Sequence, residues 1–225
     1  MLYNFPAMTG QDVSPALVKR LAGQYPALVG IKETVDSLSH IRSMITEVKS
    51  VRPDFAVMCG YDEYLLATLA AGGDGAIAAS ANFAPELLLG IYNSFRDGDF
   101  TSLMDYQHRI MAIPELYEMV LPFIPALKEA IRLSGIPIST KCLAPVADWG
   151  EEHIRKVQDI LRRAGQGRAD QTLKTAKGDI LSLVRANLDH HHFKKELMSA
   201  HTSKLKNTKK TAKHKKGSFI ASAIR

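Results

Sequence analysis

The sequence contains only two cysteines, Cys59 and Cys142, and a single tryptophan among its 225 residues. The cysteines stand neither in a CxxC pair nor at the spacing of metal ligands, which argues against a disulfide framework and a zinc-binding fold. The chain has no apolar run approaching the length of a membrane helix, and it does not open with a charged segment followed by an apolar one. We therefore expect no membrane association and a cytoplasmic location.

Charge is distributed unevenly along the chain. Residues 1–165 carry 15 lysines and arginines against 19 aspartates and glutamates, whereas residues 166–225 carry 14 against 4. This shift from acidic to basic indicates a boundary near Gly165. Beyond it we predict one amphipathic helix over 179–199 and a lysine-rich, disordered run over 204–216.

Short apolar runs alternate with segments of helical period over residues 1–100, a pattern typical of parallel strands joined by crossover helices. Strands are predicted over 1–4, 27–31, 55–59 and 75–79. Helices are predicted over 14–23, 37–51, 63–71 and from 85 to a stop signal at 96–98, the first with Ser14 as N-cap and Pro15 in its first turn. Further helices are predicted over 101–120, 124–133 and 151–163, with breaks at prolines and glycine. The fold class is therefore α/β, with four parallel βα units (1–100), a helical region (101–165) and a basic tail (166–225).

Lys32 directly follows an apolar run, so it is predicted to lie at the carboxyl end of a parallel strand. In a parallel α/β barrel these strand ends face the active site, where apolar walls favour the neutral amine that attacks a carbonyl. Tyr3 holds the matching place on the preceding strand, so its phenol is predicted to approach Lys32. The alternative interpretation is a solvated lysine beside a packed tyrosine.

Four segments resemble, in order and spacing, successive blocks of the dihydrodipicolinate synthase and N-acetylneuraminate lyase superfamily. They are YNFP at 3–6 with TG at 9–10, GIKET at 30–34, GYDE at 60–63 and GGDGAI at 72–77. The resemblance implies the C-terminal half of a (β/α)8 TIM barrel. It also implies that Lys32 forms a covalent imine with pyruvate or another 2-keto acid, that Tyr3 shuttles protons, and that no cofactor is required.

The resemblance further implies a substrate pocket formed by Thr34, Gly60, Tyr61, Asp62, Glu63 and Ile77. The acidic pair at 62–63 suits sugar hydroxyls, because carboxylates accept hydrogen bonds. Alternatively the pair only begins a helix, where the dipole favours negative charge. The segments are most similar to bacterial 2-keto-3-deoxygluconate and 2-keto-3-deoxypentonate aldolases. We therefore favour cleavage of a 2-keto-3-deoxy sugar acid to pyruvate and an aldehyde over a condensation like that of dihydrodipicolinate synthase.

The first four βα units of the family, with the GTGGE or GTTGE loop that binds the substrate carboxylate, have no counterpart in the sequence. A half barrel has two unpaired sheet edges and an uncovered inner face, so we expect a homo-oligomer. Full activity would require the missing half, supplied either by another chain or by a corrected start of the coding sequence. A non-catalytic fragment is the alternative.

The lysines of 204–216 suggest a third function, a nucleic-acid-binding arm that neutralises phosphates. No aromatic residue interrupts this run to stack on bases, so nucleic acid is not the expected partner. Three consecutive histidines at 190–192 would project in different directions from a helix, and no metal site is predicted there.

Overall fold

The computed structural model describes residues 1–144, 146 and 150–166. Its sheet has four parallel strands, and each strand pairs with the next one along the chain. They are β1 (Leu2–Asn4), β2 (Gly30–Glu33), β3 (Ala56–Cys59) and β4 (Gly75–Ala76). The predicted α/β class with a parallel sheet is confirmed.

Helices connect the strands and continue after the last one. They are α1 (Pro6–Thr9), α2 (Pro15–Gln24), α3 (Leu38–Lys49), α4 (Leu65–Ala70), α5 (Pro85–Asp97), α6 (Phe100–Ile110), α7 (Pro114–Glu118), α8 (Ile124–Leu133) and α9 (Glu151–Arg163). Short 3₁₀ helices span Asp62–Tyr64 and Ala79–Asn82. Within the described ranges no helix is long and apolar enough to cross a membrane. The tail features predicted over 179–199, 190–192 and 204–216 lie outside the described residues.

Local signals explain several of these boundaries. Helix α2 begins as predicted, because the Ser14 hydroxyl accepts a hydrogen bond from the backbone N–H of Leu17 (3.3 Å) and Pro15 occupies the first turn. Helix α5 ends as predicted at Gly98, whose left-handed φ of 73° suits a residue without a Cβ. Helices α8 and α9 have the predicted bounds.

Some predicted elements were wrong in extent. The strand predicted over 27–31 pairs instead over Gly30–Glu33, because the chain turns after Pro26 and the N–H of Leu28 donates to the carbonyl of Tyr25 (2.9 Å). Lys32 therefore lies within β2 and not just past its end. The strand predicted over 75–79 has two residues, since the chain coils into the 3₁₀ helix that follows.

One helical prediction needs correction, because the segment 63–71 divides into a 3₁₀ turn and α4. The predicted break at Pro114 within 101–120 is confirmed: α6 ends before it and α7 begins at it, since a proline ring cannot continue a helix from the preceding turn. Helix α1, a single turn that starts with a proline, was not predicted at all. None of these changes moves the strand order.

The two faces of the sheet differ sharply in exposure. Ile31, Glu33, Val57 and Cys59 are completely buried beneath the helices, on what we call the helix-covered face. The alternating residues lie on the opposite, open face, where Tyr3 is 53% exposed. The hydrophobic core therefore lies between the sheet and its helices, and it leaves the open face uncovered by the described part of the chain.

Candidate active site on the open face of the sheet

Tyr3 and Lys32 lie opposite each other across β1 and β2. Their Cα atoms are register partners, and the Lys32 Nζ atom lies 4.4 Å from the centroid of the Tyr3 ring. At this distance the electron-rich ring face attracts the ammonium group. The ring of Phe5 lies 5.8 Å from that of Tyr3, centroid to centroid, and extends the aromatic surface. The structure thus brings the two residues together as predicted, while their chemical roles stay predictions.

Thr34 and Gly60 pack tightly just after the ends of β2 and β3. A Cβ atom on Gly60 would lie 2.0 Å from the Thr34 Oγ1 atom and 2.9 Å from its Cα, so only glycine fits here. The Thr34 hydroxyl is buried and has no hydrogen-bond partner among the described residues. A buried hydroxyl without a partner is energetically costly, and a bound ligand would satisfy it.

Tyr61 lies just after the end of β3 and packs against a second tyrosine. Its ring lies 5.5 Å from that of Tyr64, and the Tyr64 hydroxyl donates a hydrogen bond to the Asp36 carboxylate. Burial raises the pKa of the Tyr61 phenol, and the nearby charges of Asp36 and Glu63 raise it further. Tyr61 therefore stays a neutral hydrogen-bonding group at ordinary pH.

Asp62 is almost completely buried, and protein groups occupy both of its carboxylate oxygens. Its Oδ1 accepts a hydrogen bond from the backbone N–H of Ser80 (3.1 Å), and its Oδ2 accepts one from the Tyr117 hydroxyl (2.8 Å). Burial raises the pKa of the Asp62 carboxyl despite these two donors. The carboxylate fastens the turn after β3 to two other segments. Its predicted contact with substrate stays a prediction, and the geometry favours a positioning role.

Glu63 differs from Asp62 because one of its carboxylate oxygens accepts no hydrogen bond from the described residues. Its Oε2 atom is buried and has no hydrogen-bond partner among the described residues, while its backbone carbonyl accepts from the Gln107 side chain (3.1 Å). Burial raises the pKa of the Glu63 carboxyl. Both acidic residues also occupy the first turn of a 3₁₀ helix, as the alternative interpretation of the pair predicted.

Ile77 follows β4, and its side chain is 44% exposed. Its backbone N–H donates to the carbonyl of Cys59 (2.8 Å), which extends the β3–β4 ladder by one bond beyond the strand. Among the described residues, no three His, Cys, Asp or Glu side chains lie together in an arrangement that would hold a metal ion.

Sequence reasoning missed several polar residues that hold this site together. Asn4 and Glu33 directly follow Tyr3 and Lys32 in the chain, and both are buried on the helix-covered face. Their signal was present in the sequence, because a glutamate inside a buried strand requires a partner. Tyr117, by contrast, gave no local signal, since it contacts Asp62 from a helix 55 residues away.

Comparisons with known proteins agree on one family. The dihydrodipicolinate synthetase family matches residues 1–164. The chain is 48% identical over 165 residues to an Escherichia coli K12 protein named "Probable 2-dehydro-3-deoxy-D-pentonate aldolase YjhH", covering 73% of this chain and 55% of that protein. The chain therefore spans about half the length of the curated relatives it matches.

Solved structures show the same relationship. The crystal structure of YagE, a prophage protein of the dihydrodipicolinic acid synthase family from Escherichia coli K12 in complex with pyruvate, is 46% identical with a TM-score of 0.71, over 74% of this chain and 56% of YagE. Dihydrodipicolinate synthase from Thermotoga maritima is 27% identical with a TM-score of 0.67, over 73% of this chain and 55% of the synthase.

Proposed function

Since this chain belongs to the dihydrodipicolinate synthetase family, we propose that it carries the Schiff-base lysine of an aldolase that cleaves 2-keto-3-deoxy sugar acids to pyruvate and an aldehyde. The observation that supports this most directly is the cross-strand pairing of Lys32 with Tyr3 on the open face. The 48% identity to YjhH, against 27% to the Thermotoga synthase, favours cleavage of a sugar acid over the synthase condensation.

The proposed chemistry begins at the Lys32 amine. Its nitrogen attacks the keto carbon of the substrate and water leaves, which gives a protonated imine. The bond between C3 and C4 then breaks, and its electron pair enters the imine to form an enamine while the C4 hydroxyl loses its proton. An aldehyde departs, the enamine is protonated at C3, and hydrolysis releases pyruvate and the free lysine.

Tyr3 is the proposed proton carrier, because its phenol lies beside Lys32 on the same face. The phenol gives its proton to the hydroxyl that leaves as water when the imine forms, and the resulting phenolate takes the C4 hydroxyl proton when the bond between C3 and C4 breaks. A positioned acid or base of this kind typically contributes a factor of about 10² to 10⁴ in rate. Tyr3 would return the proton at C3 later in the cycle, so that one residue serves each of these transfers.

Substrate contacts are proposed for two polar atoms near the carboxyl ends of the strands, the Oγ1 atom of Thr34 and the Oε2 atom of Glu63. Neither atom has a hydrogen-bond partner among the described residues. Tyr61 supplies a neutral phenol beside them, and Gly60 and Ile77 line the backbone wall. Asp62 is proposed to hold the turn that carries Tyr61 and Glu63 in place through its bonds to Ser80 and Tyr117.

The fold supports a half barrel as the structural unit. Four parallel strands follow one another in chain order, and β1 and β4 each have a neighbour on only one side within the described residues. Closure into a barrel requires a partner for both edges. We propose that activity requires the remaining units, including the group that binds the substrate carboxylate, from outside the given sequence. Alternatively, two copies of this chain could pair at both sheet edges, although such a dimer would lack that group. Light scattering on the purified chain would then give twice the chain mass, and the mass of one chain would contradict this pairing.

The function is tested by pyruvate release from 2-keto-3-deoxygluconate. The full chain is measured alone and mixed with a chain that carries the missing four units of a family member, and we expect release only in the mixture. Lys32→Ala should abolish it, whereas Lys19→Ala, on the outer helix α2, should not. No release from any mixture would favour the non-catalytic fragment instead.

A further inference from the structure

A buried polar cluster lies directly behind the Tyr3–Lys32 pair, on the helix-covered face. Asn4 and Glu33 are register partners there, 1% and 0% exposed, one residue after Tyr3 and Lys32 respectively. Buried carboxyls and amides are costly unless they form hydrogen bonds, so a cluster at this place needs a physical reason.

The Asn4 side chain links the two strands to the segment that follows β1. Its Nδ2 donates to the Glu33 Oε2 atom (3.0 Å) and to the Asp12 Oδ1 atom (2.8 Å), while its Oδ1 accepts from the backbone N–H of Val13 (3.2 Å). The backbone adds a bond from the Thr34 N–H to the Asn4 carbonyl (2.8 Å). The Glu33 carboxyl therefore accepts a side-chain hydrogen bond that joins β1 to β2 one residue beyond the Tyr3–Lys32 pair.

The charged and titratable groups that face Glu33 come from each element packed around it. His40 on α3 places its Nε2 atom 3.4 Å from Glu33 Oε2 and its Nδ1 atom 3.7 Å from Asp12 Oδ2. The register partner on β3 is Cys59, a neutral thiol whose pKa burial raises to about 11. Lys32 is the chain neighbour and lies on the opposite face.

The Glu33 carboxyl is poised to change its protonation near neutral pH. Its Oε1 atom is buried and has no hydrogen-bond partner among the described residues. Burial raises the pKa of this carboxyl to about 7, the Asn4 hydrogen bond lowers it, and the charge of Asp12 raises it. The ionised form therefore places a negative charge one residue from Lys32.

We propose that Glu33 is a positioning residue: by accepting the hydrogen bond from Asn4 it holds β1 in place on β2, and so keeps Tyr3 beside Lys32. This inference rests on the proposed function and deepens it.

Two readouts test the proposal on the full chain, alone and completed with the missing units, each at pH 5.5 and 8.5. One is borohydride trapping of pyruvate on Lys32, and the other is the rate at which acetic anhydride labels Lys32, measured on its peptide by mass spectrometry. Glu33→Gln keeps an acceptor for Asn4 and carries no charge, whereas Glu33→Ala removes both. Glu86→Gln, at an exposed position on α5, is the matched control.

At both pH values we expect Glu33→Gln to match the unsubstituted chain in pyruvate trapping, because glutamine still accepts the Asn4 hydrogen bond. The labelling rate of Lys32 in this variant should likewise equal that of the unsubstituted chain. Glu33→Ala should trap pyruvate at least about tenfold more slowly at both pH values, since the reacting groups lose their alignment.

Normal trapping in Glu33→Ala would overturn the positioning role, and so would a loss in Glu33→Gln as large as that in Glu33→Ala. If the unsubstituted chain, completed with the missing units, traps no pyruvate, the proposed function fails. In that case a labelling rate of Lys32 that is the same in Glu33→Ala and the unsubstituted chain still counts against Glu33, because acetic anhydride needs no substrate site.

Discussion

The two faces of strands β1 and β2 make opposite use of neighbouring residues. On the open face Tyr3 and Lys32 meet through an exposed ring and an amine. One residue further along, Asn4 and Glu33 meet on the helix-covered face through a buried hydrogen bond. The groups that we propose to react are therefore accessible, while the polar groups that we propose to align them are buried, so substitutions on the two faces should separate effects on activity from effects on stability.

The largest expected effect tests the open face. In a completed barrel Tyr3→Phe should lower kcat by a factor of about 10² to 10⁴, because the proton acceptor is lost, while pyruvate trapping on Lys32 persists. The free energy of unfolding should change little, since the ring stays. Tyr25→Phe, an exposed tyrosine after α2, is the control. Unchanged turnover in Tyr3→Phe would remove this residue from the mechanism.

The next effect concerns the buried carboxylate of Asp62. Asp62→Ala should lower the free energy of unfolding by about 3 kcal/mol, because the backbone N–H of Ser80 and the hydroxyl of Tyr117 lose their acceptor. Urea denaturation measures this change. Asp62→Asn keeps one oxygen acceptor and should lose less. Full stability in Asp62→Ala together with loss of substrate binding would show direct contact with substrate and break the contrast.

A smaller, pH-dependent effect follows from Glu33. Its pKa is raised from 4.5 to about 7 in the folded chain, so the unfolded state releases this proton at lower pH. Stability is therefore fully present below pH 4.5 and is lost as pH rises through 7, by at most about 3 kcal/mol. Glu33→Gln should remove this loss, as seen in urea denaturation at pH 5 and pH 8. Parallel profiles for the variant and the unsubstituted chain would contradict the assignment.

The smallest effect concerns a helix boundary away from both faces. Ser14→Ala should lower the free energy of unfolding by about 1 kcal/mol, since the hydroxyl that caps α2 is lost. Turnover should not change. Thermal unfolding followed by circular dichroism measures the loss, and a stability equal to that of the unsubstituted chain would show that solvent caps this helix equally well.

Periodicity and capping residues predicted most of the fold. The Ser14 cap and the bounds of α8 and α9 follow from local sequence, because each depends on residues within one or two turns. The register of β2 did not follow, since an apolar run does not show where pairing begins. Pairing begins at Gly30, after the turn at Pro26, and the first paired residue depends on contacts with the neighbouring strands.

The part of the candidate site that could be predicted consists of residues at matching positions on adjacent strands. Lys32 and Tyr3 were found because matching strand ends bring them together, and the structure pairs them. The supporting contacts were not found, because the bond from Tyr117 to Asp62 joins residues that are distant in sequence. Glu33 was overlooked although its signal was present, because the apolar run predicts that a polar residue directly after Lys32 lies past the end of the strand and not inside it.

The location of a trapped adduct tests most directly whether Lys32 forms the imine with pyruvate. The full chain, alone and completed with the missing units, is treated with pyruvate and borohydride and digested, and the peptides are sequenced by tandem mass spectrometry. We expect a reduced pyruvyl group on Lys32 that is absent in Lys32→Ala and retained in Lys19→Ala. An adduct on any other lysine, or none in the completed barrel, would contradict this expectation.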